Sequence, residues 1–139
     1  MPIIIEQKFG VPAVTIWKAI TDPEAMKQWY FTIPGFKAEE GAVFEFYEPG
    51  EECQYLHRCT ITRVVPMKLL QHTWTHPNHS KGSSLLTWEL IPEGDNTIIR
   101  LTHEGIENLA DGGSAFAPEN YQEGWNQIVG EALRNYLRV

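Results

Sequence analysis

Five histidines are the side chains of this chain best suited to proton transfer or metal binding: His57, His72, His76, His79 and His103. Their spacing argues against a shared ion. On an extended strand His72 and His76 point the same way but lie about 13 Å apart, and His79 falls in the polar stretch that follows. No metal and no cofactor is expected. Cys53 and Cys59 would sit about 20 Å apart on one strand, whereas a disulfide needs less than about 7 Å between Cα atoms. They read as free thiols in a reducing compartment, which places the chain in the cytoplasm. Glu45, Glu48, Glu51 and Glu52 crowd one turn and read as a solvated hairpin. No nucleophile elbow, Walker loop, dinucleotide fingerprint or zinc-protease motif occurs. His57, His72 and His103 remain the groups an enzyme could tune for acid–base work. No residue is assigned a catalytic role.

The elements that would hold these side chains follow from hydrophobic period. Residues 2–9 are β-rich and end at Gly10. Ala13, Ile16, Trp17 and Ile20 recur at helical spacing, so residues 12–20 read as a short helix. Asp22-Pro23-Glu24 restarts the pattern with a cap, a proline at the first helical position and a favourable acid. Met26, Trp29 and Tyr30 continue it. Strand patterns follow over 42–48, 53–65, 68–76, 83–92 and 97–104, joined by short turns such as Pro49-Gly50 and Gly94-Asp95-Asn96. This is an antiparallel meander. Residues 106–117 are Gly-rich, a loop with one helical turn. From Pro118, the residues Tyr121, Trp125, Ile128, Val129, Ala132, Leu133, Tyr136 and Leu137 form one apolar stripe on a helix of about 30 Å, thinned by Gly124 and Gly130. Such a stripe must be buried. The large apolar surface available is the inner face of the sheet, and a curved sheet gripping the helix buries both.

Period-two alternation assigns the inner face. It carries Phe44 and Phe46, then Tyr55, His57, Cys59 and Ile61, then Leu70, His72, Trp74 and His76, then Leu86, Trp88 and Leu90, and finally Ile99, Leu101 and His103. The strand 53–65 offers a competing face in Thr60, Thr62 and Val64. Many rings with a few convergent polar groups describe a pocket wall. The same rings also describe a core filled by its own side chains. As a pocket, its expected lining is Trp29, Phe44, Phe46, His57, Cys59, His72, Trp74, Leu86, Trp88, Leu101, His103, Tyr121, Trp125 and Ile128.

Composition narrows the function. The chain has 139 residues, one domain's worth over 1–139, and a formal charge of −7 with scattered Lys and Arg. That surface repels a phosphate backbone, so no nucleic acid is expected. No apolar run approaches the ~18 residues of a membrane span, and no signal peptide opens the chain.

Four stretches resemble the SRPBCC (START/Bet v-like) superfamily, and within it the branch named for the activator of heat-shock-protein-90 ATPase. They are Val14-Thr15-Ile16-Trp17-Lys18-Ala19-Ile20-Thr21-Asp22-Pro23 with Trp29 after it; Val64-Val65-Pro66 followed by Leu70 to Trp74; Thr97-Ile98-Ile99-Arg100-Leu101-Thr102-His103; and Gly124-Trp125 followed by Leu133 and Tyr136-Leu137. The resemblance implies an α+β helix-grip fold. It also implies several functions, since the superfamily includes ligand carriers, antibiotic-sequestering proteins, polyketide cyclases and the chaperone activator. The leading expectation is a non-catalytic binder of a small hydrophobic or aromatic molecule. A co-chaperone of heat-shock protein 90 is the second reading, set back because the match covers only the domain the activator shares with many bacterial proteins and no separate N-terminal chaperone-binding domain is seen. A cyclase or aromatase is the third. A homodimer is allowed.

Overall fold

The computed structural model describes residues 2–30, 33, 36–47, 56–76, 80–112 and 118–137. Strand β1 (Ile3–Phe9) buries Ile3, Ile5 and Phe9 on one side. Two short helices follow, α1 (Ala13–Thr21) and α2 (Pro23–Trp29). They meet at Asp22, whose carboxylate accepts the Glu24 N–H at 3.1 Å, with Pro23 in the first turn of α2. Helix α1 buries Ile16, Ala19 and Ile20, and α2 buries Ala25, Met26 and Trp29. Ala13 and Trp17, expected on the same face, are half-buried. The Trp29 indole N–H donates to the Ala19 carbonyl at 2.9 Å and ties the two helices together.

Strands β2 (Val43–Tyr47), β3 (Leu56–Val65), β4 (Leu69–Trp74), β5 (Ser84–Glu93) and β6 (Asn96–Glu104) form a meander. β1 returns to pair with β6, giving one antiparallel sheet of order β1-β6-β5-β4-β3-β2. Gly94, at φ +63°, supplies the left-handed residue of the β5–β6 turn. A register shift between Ile61 and Arg63 bends β3 against β4. The ends differ from the expected ranges by one or a few residues. The stretch 53–55 with Cys53 and Tyr55, the Pro49-Gly50 turn, the acids Glu48, Glu51 and Glu52, and His79 lie outside the described residues. On the outer face, the paired residues Glu6 and Arg100, and Glu45 and Arg58, form ion pairs at 2.5 Å. These are exposed and stabilise little.

A 3-10 helix (Ile106–Gly112) comes next in the chain before the C-terminal helix. That helix begins as α3 (Pro118–Gln127), passes through a π-helical stretch (Ile128–Leu133) and ends as α4 (Arg134–Leu137). Gln127 and Arg134 at the joints both keep right-handed helical dihedrals, so the rod is continuous. The expected stripe was α-helical throughout. The wider π turn, with its i→i+5 bonding, changes which side chains it presents. Trp125, Val129 and Leu133 are buried, Ile128, Ala132 and Leu137 are half-buried, and Tyr136 is 38% exposed. Arg134 staples the rod to β1: one guanidinium nitrogen donates to Gln7 Oε1 and the Lys8 carbonyl at 3.0 Å, and the guanidinium lies 4.4 Å from the Phe9 ring centre. A Cβ on Gly130 would stand 3.8 Å from Gln7 Nε2, while the corresponding position at Gly124 is open. Among the described residues no helix is long and apolar enough to cross a membrane.

The turn from β3 to β4 carries a measurable strain. Lys68 N–H donates to the Val65 carbonyl at 2.9 Å, Pro66 takes the second position, and Met67 follows at φ 67°. That third position favours glycine. Met67 is 40% exposed and loses little burial when truncated. Met67→Gly is expected to stabilise the chain by about 0.5–1 kcal/mol in urea denaturation; a loss of stability contradicts the strain.

Candidate functional site

The interior lies between the concave face of the sheet, α2 and the C-terminal helix. The inward sets are buried on four strands, with His57, Cys59 and Ile61 on β3, Leu70, His72 and Trp74 on β4, Leu86, Trp88 and Leu90 on β5, and Ile99, Leu101 and His103 on β6, while Thr87 on the other face of β5 is buried as well. Thr60, Thr62 and Val64, the competing face of β3, are half-buried or exposed. Phe44, Phe46, Trp29 and Trp125 are buried, and Tyr121 and Ile128 are half-buried against the core.

These side chains form a connected group of rings. Phe46 stacks on His57 at 4.6 Å between centres, and His57 meets Trp74 at 4.9 Å and His76 at 4.5 Å. Trp74 meets Trp125 edge-on at 5.2 Å, Trp125 meets Trp88 at 6.1 Å, and Trp88 meets Trp29 at 6.4 Å. Phe44 packs edge-on against His72 at 5.0 Å. Such offset and edge-on pairs are favourable beyond their buried area.

Hydrogen bonds run through the rings and set the tautomers. The Trp125 indole N–H donates to His103 Nδ1 at 3.1 Å, so that nitrogen carries no proton. His103 Nε2–H then donates to Ser84 Oγ at 2.8 Å, and the Ser84 hydroxyl donates to the Trp74 carbonyl at 2.9 Å. One chain of donors thus joins the helix to β6, β5 and β4. His72 Nδ1–H donates to the Thr73 carbonyl at 2.9 Å, and His76 Nε2 and the Tyr121 hydroxyl are hydrogen-bonded at 2.9 Å. The Trp74 indole N–H is buried and has no hydrogen-bond partner among the described residues. An unmet buried donor of this kind costs about 1–3 kcal/mol.

Burial keeps four interior groups neutral. It lowers the His72 imidazole to about 4, the Thr73 carbonyl only partly opposing it. His103 is lowered to about 3, first by burial and then by the neighbouring His72 and His76. The Cys59 thiol is pushed up by burial, and the crowded Tyr30 phenol is pushed up by burial and then by Cys59. At neutral pH these groups carry no charge. Among the described residues no three His, Cys, Asp or Glu side chains cluster as metal ligands.

A cavity of about 10 Å³ lies where α2 faces β2, β4 and β5. That is room for about one water. Its wall contains the expected Trp29, Phe44, His72 and Trp88, together with Ile20, Met26, Tyr30, Ile33, Phe36 and Leu70. The remaining expected lining residues pack elsewhere in the ring group. Ile33 and Phe36 carry no periodic signal, since they fall in the connection between α2 and β2. Ser84 was legible: extending the alternation of Leu90, Trp88 and Leu86 back one step reaches it. A separate open groove of about 690 Å³ runs on the surface beside Val14, Lys18, Gln28 and Tyr136.

A family model described as Activator of Hsp90 ATPase homolog 1-like protein matches residues 10–138. No curated protein matches. Among solved structures, protein MLL2253 from Mesorhizobium loti superposes with a TM-score of 0.83 at 23% identity, over 99% of this chain and 97% of that one. Protein BH1534 from Bacillus halodurans gives 0.76 at 27% identity, over 98% and 96%. PFC0360w, an HSP90 activator from Plasmodium falciparum, gives 0.77 at 19% identity, over 99% and 96%.

The depressed histidines make a stability prediction. An unfolded chain protonates them near 6.5, while the folded chain resists until about 4 for His72 and about 3 for His103. Stability from these groups is therefore full above about 6.5 and is lost as pH falls from there towards about 3, by on the order of 8 kcal/mol in all. Denaturant titrations at pH 7.5 and 4.5 are expected to show a smaller acid loss in His72→Gln than in the parent. Equal losses contradict the assignment.

Proposed function

The chain belongs to the Activator of Hsp90 ATPase homolog 1-like family, and from that premise we propose that its interior binds a small hydrophobic or aromatic molecule without turning it over. One observation carries this reading. The space between sheet and helix is walled by rings that include four buried histidines and a buried indole N–H with no hydrogen-bond partner among the described residues, whereas a core that serves only packing leaves few buried polar groups unpaired. The small cavity beside Trp29, Tyr30 and His72 supports a starting point for such a molecule. Side chains would have to move to admit anything larger than water.

Two features favour binding over catalysis. Both ring nitrogens of His103 are already engaged, and neither His103 nor His72 has a proton affinity near neutral pH, where a general base works best. The neutral His72, His103, Cys59 and Tyr30 favour an uncharged occupant beside them, because burying an unpaired charge is costly.

An uncharged apolar fluorophore such as Nile red is expected to bind saturably at one site, to raise the melting temperature and to be displaced by small aromatics. No binding of the fluorophore or of a library of apolar compounds sinks the reading. The family name and the likeness to the Plasmodium activator support the alternative of a heat-shock-protein-90 regulator. Mixing the chain with that chaperone is expected to leave its ATPase rate unchanged; a clear stimulation would replace ligand binding as the leading function.

A further inference from the structure

The buried row of the C-terminal helix is Trp125, Val129 and Leu133, with Leu137 half-buried after it. Every step in that row is i to i+4. Four residues overshoot an α turn of 3.6 by about 40°, so an unbroken α-helix would carry the row round and off the sheet. A row at i, i+4, i+7 stays on one face. Between Val129 and Leu133 the helix therefore holds one residue more than α geometry needs, and the π-helical stretch Ile128–Leu133 absorbs it. Gly130 lies within that stretch, beside Gln7 of β1. The stretch is held at both ends. Before it, the Trp125 indole N–H is fixed on His103 at 3.1 Å. After it, Arg134 is fixed on Gln7, the Lys8 carbonyl and the Phe9 ring.

The same helix carries a second row. When the extra residue passes out of the stretch towards the chain end, α geometry continued from Trp125 and Val129 brings Ala132 to the place of Leu133, and Tyr136 to the place of Leu137. Both are apolar. Ala132 is already half-buried, and Tyr136 is 38% exposed beside the open groove of about 690 Å³, where the end of the rod has room to turn. A helix built for one register needs one apolar row, and this one has two. The π stretch also packs against α2, which supplies Met26 and Trp29 to the wall of the small cavity. Seating Ala132 in place of Leu133 takes a bulky side chain out of this packing and lifts Arg134 from β1. An empty space of that kind is costly, so the free chain keeps the π register. An occupant that fills the space reverses the balance.

Resting on the reading of this interior as a ligand site, we infer that the C-terminal helix is a two-register element: the π register seats Leu133 and closes the interior, and the α register seats Ala132 and makes the room an occupant needs. Arg134 holds the closed register.

Methyl NMR of the full chain tests this with two variants. Arg134→Ala frees the far end of the stretch; the Leu133 methyls are expected to lose their contacts to interior side chains and the Ala132 methyl to gain them. Saturating the parent with Nile red is expected to cause the same exchange. Deletion of Gly130 restores i, i+4, i+7 with Leu133 in the row and leaves no second register. Relative to the parent, Nile red is expected to bind Arg134→Ala about tenfold more tightly and the deletion about tenfold more weakly. Leu133 contacts that persist in Arg134→Ala overturn the inference. Nile red bound with Leu133 seated as in the free chain also overturns it, while leaving the ligand site standing. So does a deletion variant that binds as well as the parent. An exchange in Arg134→Ala without any binding of Nile red removes the ligand reading, and the role given to the second register with it. Should either variant fail to fold, the Leu133 and Ala132 contacts of the parent with and without Nile red decide the matter.

Discussion

The interior depends on the run of hydrogen bonds from Trp125 through His103 and Ser84 to the Trp74 carbonyl. It crosses from the C-terminal helix to three adjacent strands, and each donor in it meets one acceptor. The run is polar, yet it lies at the centre of a ring-packed core. Burial makes it both strong and intolerant of error, because a partner removed leaves a dry donor or acceptor behind. It forces His103 to be neutral with a defined tautomer. Through that ring it fixes where Trp125 sits against Trp74 and Trp88. Apolar burial drives the helix onto the sheet; the polar run sets its position there.

The same run leaves one neighbour unsatisfied. Trp74 contributes its carbonyl to Ser84, but its side-chain donor finds nothing among the described residues. His72 and His76 have their bonds elsewhere, to the Thr73 carbonyl and the Tyr121 hydroxyl. Among the described residues the Trp74 indole N–H is thus a buried donor that meets no acceptor. Each buried imidazole brings polar atoms that need partners out of water. This is the physical basis for treating the ring cluster as a binding interior.

Much of this was legible from period alone. The buried sets on β3 to β6 follow from alternation, because a strand buried on one face has no other way to place Leu86, Trp88 and Leu90 together. The start of α2 follows from Asp22 and Pro23. The π-helical stretch at Ile128–Leu133 was not legible, since α and π turns share the same apolar residues and differ in hydrogen bonding that tertiary packing selects. Ile33 and Phe36 were missed because a connection has no period to read. The hydrogen-bond partners of the histidines were also hidden: alternation says which way a ring points, not what it touches. The size of the cavity was hidden for the same reason, since it is set by how neighbouring rotamers interlock.

The central claim, that this interior takes a small hydrophobic or aromatic molecule, is tested most directly by native mass spectrometry of the chain after incubation with an organic extract of its own source cells. A non-covalent adduct of defined mass, released on unfolding, is expected. A spectrum that shows only the bare chain after that incubation would contradict it.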